Sequence, residues 1–260
     1  MSRITEAFKN HKAFIAFITG GDPDIETTEK LIPAMAKAGA DLIEIGIPFS
    51  DPVAEGIVIQ EADERALKGG CTTDKLFDMV TRIRKTNDVP LLFMTYLNPV
   101  YTYGKEKFIR RCAECGIDGI IVPDMPFDEK DELAEVCESN NIDLISMIAP
   151  SSEERITLIA KEAKGFIYCV SSLGVTGVRS QITTDIAKMV QKVRGVTDVP
   201  CAIGFGISTP EQAGSMAKLS DGAIVGSAIV KLIAEHGKNS VEHVSEYVRS
   251  IKQGIEATDK

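Results

Sequence analysis

Glu44 and Glu55 flank a Pro-Phe-Ser-Asp-Pro turn in the stretch EIGIPFSDPVAEGIVIQ, residues 44–60. The run before the turn, Asp-Leu-Ile-Glu-Ile-Gly-Ile, reads as a buried strand, where an unpaired charge is costly. At a period of two, Leu42, Glu44 and Gly46 share one face, and Ile43 and Ile45 share the other. A carboxyl near the end of such a strand is partly desolvated, and its pKa rises. An acid that both gives and takes a proton near neutrality suits general acid–base catalysis. The competing reading, a structural Glu paired to a buried Arg or Lys, finds no obvious partner on the neighbouring strands. For Glu55, on the loop that follows, spacing alone leaves a solvated surface acid and a site acid equally open.

Three later segments are rich in glycine: Ser171-Ser172-Leu173-Gly174-Val175-Thr176-Gly177, Gly204-Phe205-Gly206-Ile207-Ser208, and Gly226-Ser227-Ala228 opening a helical run. Glycine lets backbone N–H groups approach an anion, and a helix N-terminus adds a favourable dipole. Any one cluster is weak, because glycine also ends helices and makes turns. Three in succession point to a phosphate-bearing ligand. No Lys or Arg lies within the second and third segments, so backbone dipoles are the expected anion binders.

Regular alternation of strands and helices positions these residues. Apolar runs at 13–19, 41–47, 90–96, 119–122, 143–148, 165–170, 200–204 and 222–225 read as strands, and amphipathic stretches such as 29–38, 73–84, 107–115, 129–139 and 153–163 as helices. Eight strand–helix repeats without a composition break predict an α/β fold, a single (β/α)8 TIM barrel over residues 1–260. An extra N-terminal helix at 2–9 covers its floor, and an extra short helix follows strand eight. A doubly wound open sheet is the rival. In a barrel the site lies at the C-terminal strand ends, where Glu44 and all three glycine segments fall.

Composition excludes other classes. The 260 residues carry a net charge of −9, with no basic block to bind nucleic acid. No apolar run is long enough to span a bilayer, and the charged N-terminus does not read as an export signal. The six cysteines are scattered, the usage of a reducing, cytoplasmic compartment. Cys112 and Cys115 form a CxxC at the C-terminal end of a helical run, the wrong end for a low-pKa thiol, with no second pair nearby to complete a zinc site. No metal site is expected.

The run Glu44 to Pro52, with Ala54, Gly56 and Gln60, resembles the signature of the tryptophan synthase alpha subunit family. So do Phe17 to Pro23 (FITGGDP), Gly174 to Gly177, Gly204 to Ser208, and Pro210-Glu211-Gln212. The resemblance covers nearly the whole chain, in order. It implies a lyase that cleaves indole-3-glycerol phosphate to indole and glyceraldehyde 3-phosphate in L-tryptophan biosynthesis. By the same resemblance Glu44 is the general acid–base, and Glu55 the carboxylate near the indole N–H. Familiar members have Asp where this chain has Glu55, and Pro-Thr at Ile57-Val58. Thr176 would reach the second carboxylate when a lid hinged at Gly174 and Gly177 closes. Phe17, Tyr96 and Phe205 would line the indole pocket, and Gly177, Gly206, Gly226 and Ser227 would hold phosphate. Tyr168 is a site tyrosine or a wall residue of the barrel mouth. Asp51, Pro52, Asn98 and Asp124 would face a beta subunit that carries pyridoxal phosphate in an alpha2beta2 assembly; no cofactor is expected in this chain. Asp22 and Asp24 are candidate helix caps. The rival functions are a catalytically weakened regulatory subunit that binds the phosphate ligand and activates the beta chain, and a stand-alone lyase. Other phosphate-binding barrels that use Schiff-base chemistry would need a strand-end Lys, which the strand segments lack.

Overall fold

Short runs of Ile, Val and Phe form parallel strands because they are apolar on both faces, as a helix-covered sheet requires. The structure, a computed structural model, describes residues 2–150, 153–170, 179–204 and 206–258. In chain order the strands are β1 (Ala13–Thr19), β2 (Leu42–Gly46), β3 (Leu91–Met94), β4 (Gly119–Ile121), β5 (Asp143–Leu144), β6 (Ser146–Ile148), β7 (Ile167–Val170), β8 (Cys201–Gly204) and β9 (Gly222–Val225). The helices are α1 (Arg3–Glu6), α2 (Ile25–Ala38), α3 (Ile57–Lys68), α4 (Thr73–Ile83), α5 (Leu97–Tyr103), α6 (Lys105–Cys115), α7 (Asp131–Ser139), α8 (Glu153–Glu162), α9 (Arg179–Arg194), α10 (Pro210–Leu219), α11 (Ser227–His236) and α12 (Ser240–Glu256).

All pairings are parallel, in the order β5-β4-β3-β2-β1-β9-β8-β7-β6. The two terminal strands of that order are the halves of the run expected at 143–148, separated by Ile145, whose N–H donates to the Ile120 carbonyl at 2.9 Å. One broken strand therefore pairs with β4 on one side and β7 on the other, and the sheet closes into a nearly complete barrel. The open-sheet rival is excluded.

The barrel interior is packed with Ile15, Leu42, Leu92, Ile121, Phe166 and Ile224, and Ile4 of α1 closes the floor. Ile43 and Ile45 face the outer helices, in the same cluster as Leu31, Phe77 and Phe93. The register sets Phe17 beside Glu44 and Glu44 beside Leu92, so the carboxyl stands one layer above the apolar plug. Asp24 caps α2, accepting from the Thr27 N–H at 2.8 Å. Asp22 is not a cap: it is buried and takes two hydrogen bonds from Arg65 of α3, each 2.9 Å, tying the loop after β1 to that helix.

Candidate active site

Glu44 is fully buried, and neither of its carboxyl oxygens has a hydrogen-bond partner among the described residues. Burial alone pushes its carboxyl up to about 8. A buried carboxyl without a partner is costly in ionised form, so it stays protonated at neutral pH. Tyr168 of β7 stands beside it, half-buried in the cavity wall, its hydroxyl held above the usual phenol range by burial and then by the Glu44 charge. Gly204 of β8 makes room for that ring: a Cβ there would lie 2.5 Å from the Tyr168 hydroxyl.

Above Glu44 a cavity of ≈ 450 Å³ opens at the C-terminal end of the barrel. Phe17, Ile59, Met94, Ile207 and Ile224 give it apolar walls, and Glu44 and Glu55 both line it. Its far side is formed by Gly206, Ser208, Gly226 and Ser227. Gly206 has φ +76°, a conformation that disfavours any side chain although open space surrounds the position. Gly226 and Ser227 begin α11, whose first N–H groups have no carbonyl within the helix to donate to and which presents its positive dipole end to the cavity. The cavity thus has three parts: an acid below, an apolar wall, and a glycine-rich rim at a helix N-terminus. A separate cavity of ≈ 340 Å³ near α7 and α8 is lined by Lys130 and Glu162, already ion-paired to each other, and none of its acids is buried without a partner among the described residues.

Glu55 is half-buried at the end of the loop after β2. Its backbone carbonyl accepts from Gln60 Nε2 at 2.8 Å. Tyr96 is not a cavity wall; it stands behind this loop, where its hydroxyl accepts from the Ala54 N–H at 3.0 Å and lies near the Glu55 carboxyl. The Phe49 ring packs against Tyr96 at 5.4 Å. Thr176, Gly177 and Phe205 lie outside the described residues, as does Gly174.

The residues expected at a partner surface form the rim beside this loop. Asp51 and Asn98 are exposed and Pro52 is half-exposed. Asp124 accepts from the Leu97 N–H at 3.0 Å and so also caps α5. Val53 and Ile57 on the same rim are 79% and 66% exposed, large apolar side chains in water.

Two charged residues at or beside the cavity were not foreseen. Lys231 lines the cavity one turn into α11; its position four residues after Ser227, on the same helix face, was the available signal. Asp63 of α3 is buried against the Glu55 carboxyl. It shares a face with Ile59, Ala62 and Ala66, and a carboxylate on the apolar face of a helix was its signal. Cys112 and Cys115 are buried at the C-terminal end of α6 with thiols raised by burial, so they are packing residues. Among the described residues no His, Cys, Asp or Glu group is arranged to hold a metal, and no helix is long and apolar enough to cross a membrane.

A family model described as "Tryptophan synthase alpha chain" matches residues 4–258. The tryptophan synthase alpha chain of Lacticaseibacillus casei is 47% identical over 257 residues, covering 99% of this chain and 97% of the relative. The crystal structure of tryptophan synthase subunit alpha from Legionella pneumophila superposes with a TM-score of 0.90 at 35% identity, covering 99% of both chains. A chain from the tryptophan synthase complex of Pyrococcus furiosus superposes at 0.84 and 33% identity, covering 93% of this chain and 98% of that one.

Proposed function

The chain belongs to the tryptophan synthase alpha chain family, which cleaves indole-3-glycerol phosphate to indole and glyceraldehyde 3-phosphate, and we propose that Glu44 is the acid–base of that cleavage here. One observation carries the assignment: Glu44 is a fully buried carboxyl, without a hydrogen-bond partner among the described residues, that faces the cavity at a strand end. Protonated at neutral pH, it can deliver its proton to indole C3, which breaks the ring's aromaticity and places positive charge on the indole nitrogen. The resulting carboxylate then takes the proton from the side-chain hydroxyl next to the bond that breaks. That hydroxyl becomes a carbonyl, the carbon–carbon bonding pair returns to the ring, and indole leaves.

Glu55 faces the same cavity and serves as the charge that stabilises the cationic nitrogen, an electrostatic role. Phe17, Ile59 and Met94 give the indole an apolar seat. The phosphate lies on Gly206, Gly226 and Ser227, with Lys231 as the nearby cation. Thr176, Gly177 and Phe205 complete the site from their segments, by family resemblance.

The alpha chain works with a beta chain. We place the contact on the rim of Asp51, Pro52, Asn98 and Asp124, because exposed Val53 and Ile57 lie beside them. Pyridoxal phosphate in that partner, an alpha2beta2 stoichiometry and a cytoplasmic setting complete the proposal. The regulatory alternative is disfavoured: the buried Glu44 acid serves no purpose in a subunit that only binds ligand.

Indole release from indole-3-glycerol phosphate, measured with the purified chain alone and with a beta chain added, tests the reading. Slow release that rises with the partner supports it. A folded chain that binds substrate and releases no indole in either state overturns it.

A further inference from the structure

Asp63 has no part in the chemistry so far, yet it is 4% exposed on α3 with its carboxyl against that of Glu55, whose Oε2 is buried with no hydrogen-bond partner among the described residues. Two carboxyl groups in such contact away from water cannot both ionise, so they share a proton. The surroundings decide which of them keeps it. Asp63 is the more enclosed by negative charge, facing Asp22 as well as Glu55. Asp22 is itself neutralised by Arg65. The other titratable groups facing the pair are Tyr96, whose hydroxyl lies near Glu55, and Cys71, whose thiol stays protonated because burial raises it. No cation faces the pair directly among these groups.

Asp63 also spans the loop that carries Glu55. The Phe49 backbone lies near it at the start of that loop, and the Glu55 carboxyl meets it at the end. Gln60, on the same helix, holds the Glu55 carbonyl at 2.8 Å. The helix therefore fixes both the backbone and the side chain of Glu55, where small errors of position are expensive in rate.

We propose that Asp63 is a positioning residue: as the protonated member of the pair it donates a hydrogen bond to Glu55, keeping Glu55 ionised and aimed at the cavity. Burial and the Glu55 charge raise Asp63 to about 8, consistent with the proton residing there at neutral pH. The proposal rests on Glu55 being the second site acid, and the test separates the two.

The variants are Asp63→Ala, Asp63→Asn, Glu55→Gln and the double variant Asp63→Ala/Glu55→Gln, assayed for indole release in the complex with the beta chain. Asp63→Ala is expected to lower kcat about tenfold with KM changed less than about twofold, and Asp63→Asn, whose amide still donates, to restore kcat to within about threefold of the parent. In the Glu55→Gln background Asp63→Ala is expected to have no further effect, because its action passes through Glu55. An undiminished effect in that background, or no effect of Asp63→Ala alone, overturns the proposal. If Glu55→Gln leaves kcat unchanged, the reading of Glu55 fails first, and the positioning role with it. Should Asp63→Ala not fold, Asp63→Asn carries the test through pH: its alkaline limb in kcat/KM must fall with one proton fewer than the parent's, and an unchanged limb overturns the proposal.

Discussion

Glu44 illustrates how burial creates a reagent. Among the described residues it has no hydrogen-bond partner, and burial lifts its carboxyl to about 8. Glu44→Gln keeps the shape and removes the proton, so kcat for indole release is expected to fall on the order of 10²–10⁴-fold. The same change reports on stability. The folded chain holds this proton up to about 8, whereas the unfolded chain releases it near 4.5. Between those values the native state binds more protons, so its stability declines as pH rises, by up to about 1.4 kcal/mol per pH unit from this group. Glu44→Gln lacks that decline. Its advantage in denaturant midpoint over the parent should therefore grow from about pH 5 to about pH 8 and then level off. A constant difference would show that the carboxyl is not held protonated.

At the scale of elements, the anion rim is a matter of backbone, and the contributing side chains are mostly hydrogen atoms. The loop after β8 turns at Gly206 with φ +76°, and α11 begins at Ser227 with its N-terminus open to the cavity. Gly206→Ala meets no neighbouring atom, so its penalty is conformational, about 1–2 kcal/mol. It is expected to raise KM for the phosphate substrate more than it lowers kcat, because the distorted N–H groups serve binding throughout the reaction. Steady-state kinetics with inorganic phosphate as a competing ligand checks this: the inhibition should weaken in parallel with the KM change. The helix α3 shows how an element can escape a sequence reading. Its N-cap is Gly56, with no side-chain cap, so no capping signature marked where the loop after β2 ends.

For the whole molecule, barrel closure gathers β1, β2, β7, β8 and β9 around one mouth, and places the proposed partner rim next to the loop bearing Glu55. Val53, 79% exposed on that rim, touches no cavity-lining role. Val53→Asp is expected to leave the isolated chain's rate within about twofold while weakening its affinity for the beta chain by roughly fivefold or more, since burying a charge against an apolar contact is unfavourable. Titration of the rate enhancement with beta chain measures it. Equal affinity would place the contact elsewhere on the surface.

The sequence by itself determined the alternation of strands and helices, the face on which Glu44 lies, and the order of the glycine segments, because each is a local pattern with a fixed period. Strand β1 falls on the expected residues 13–19 for that reason. It also carried the family, through motifs spread along the chain. Only the tertiary structure decided what depends on residues distant in sequence. Ile145 interrupts one strand so that its halves serve two neighbours, which no local period encodes. Asp22 pairs with Arg65 across 43 residues instead of capping the helix beside it. Tyr96 supports the Glu55 loop from behind, Lys231 reaches the cavity from α11, and Asp63 meets Glu55 only because α3 folds back over its own loop. Periodicity fixes which way a side chain points; packing alone decides what it meets.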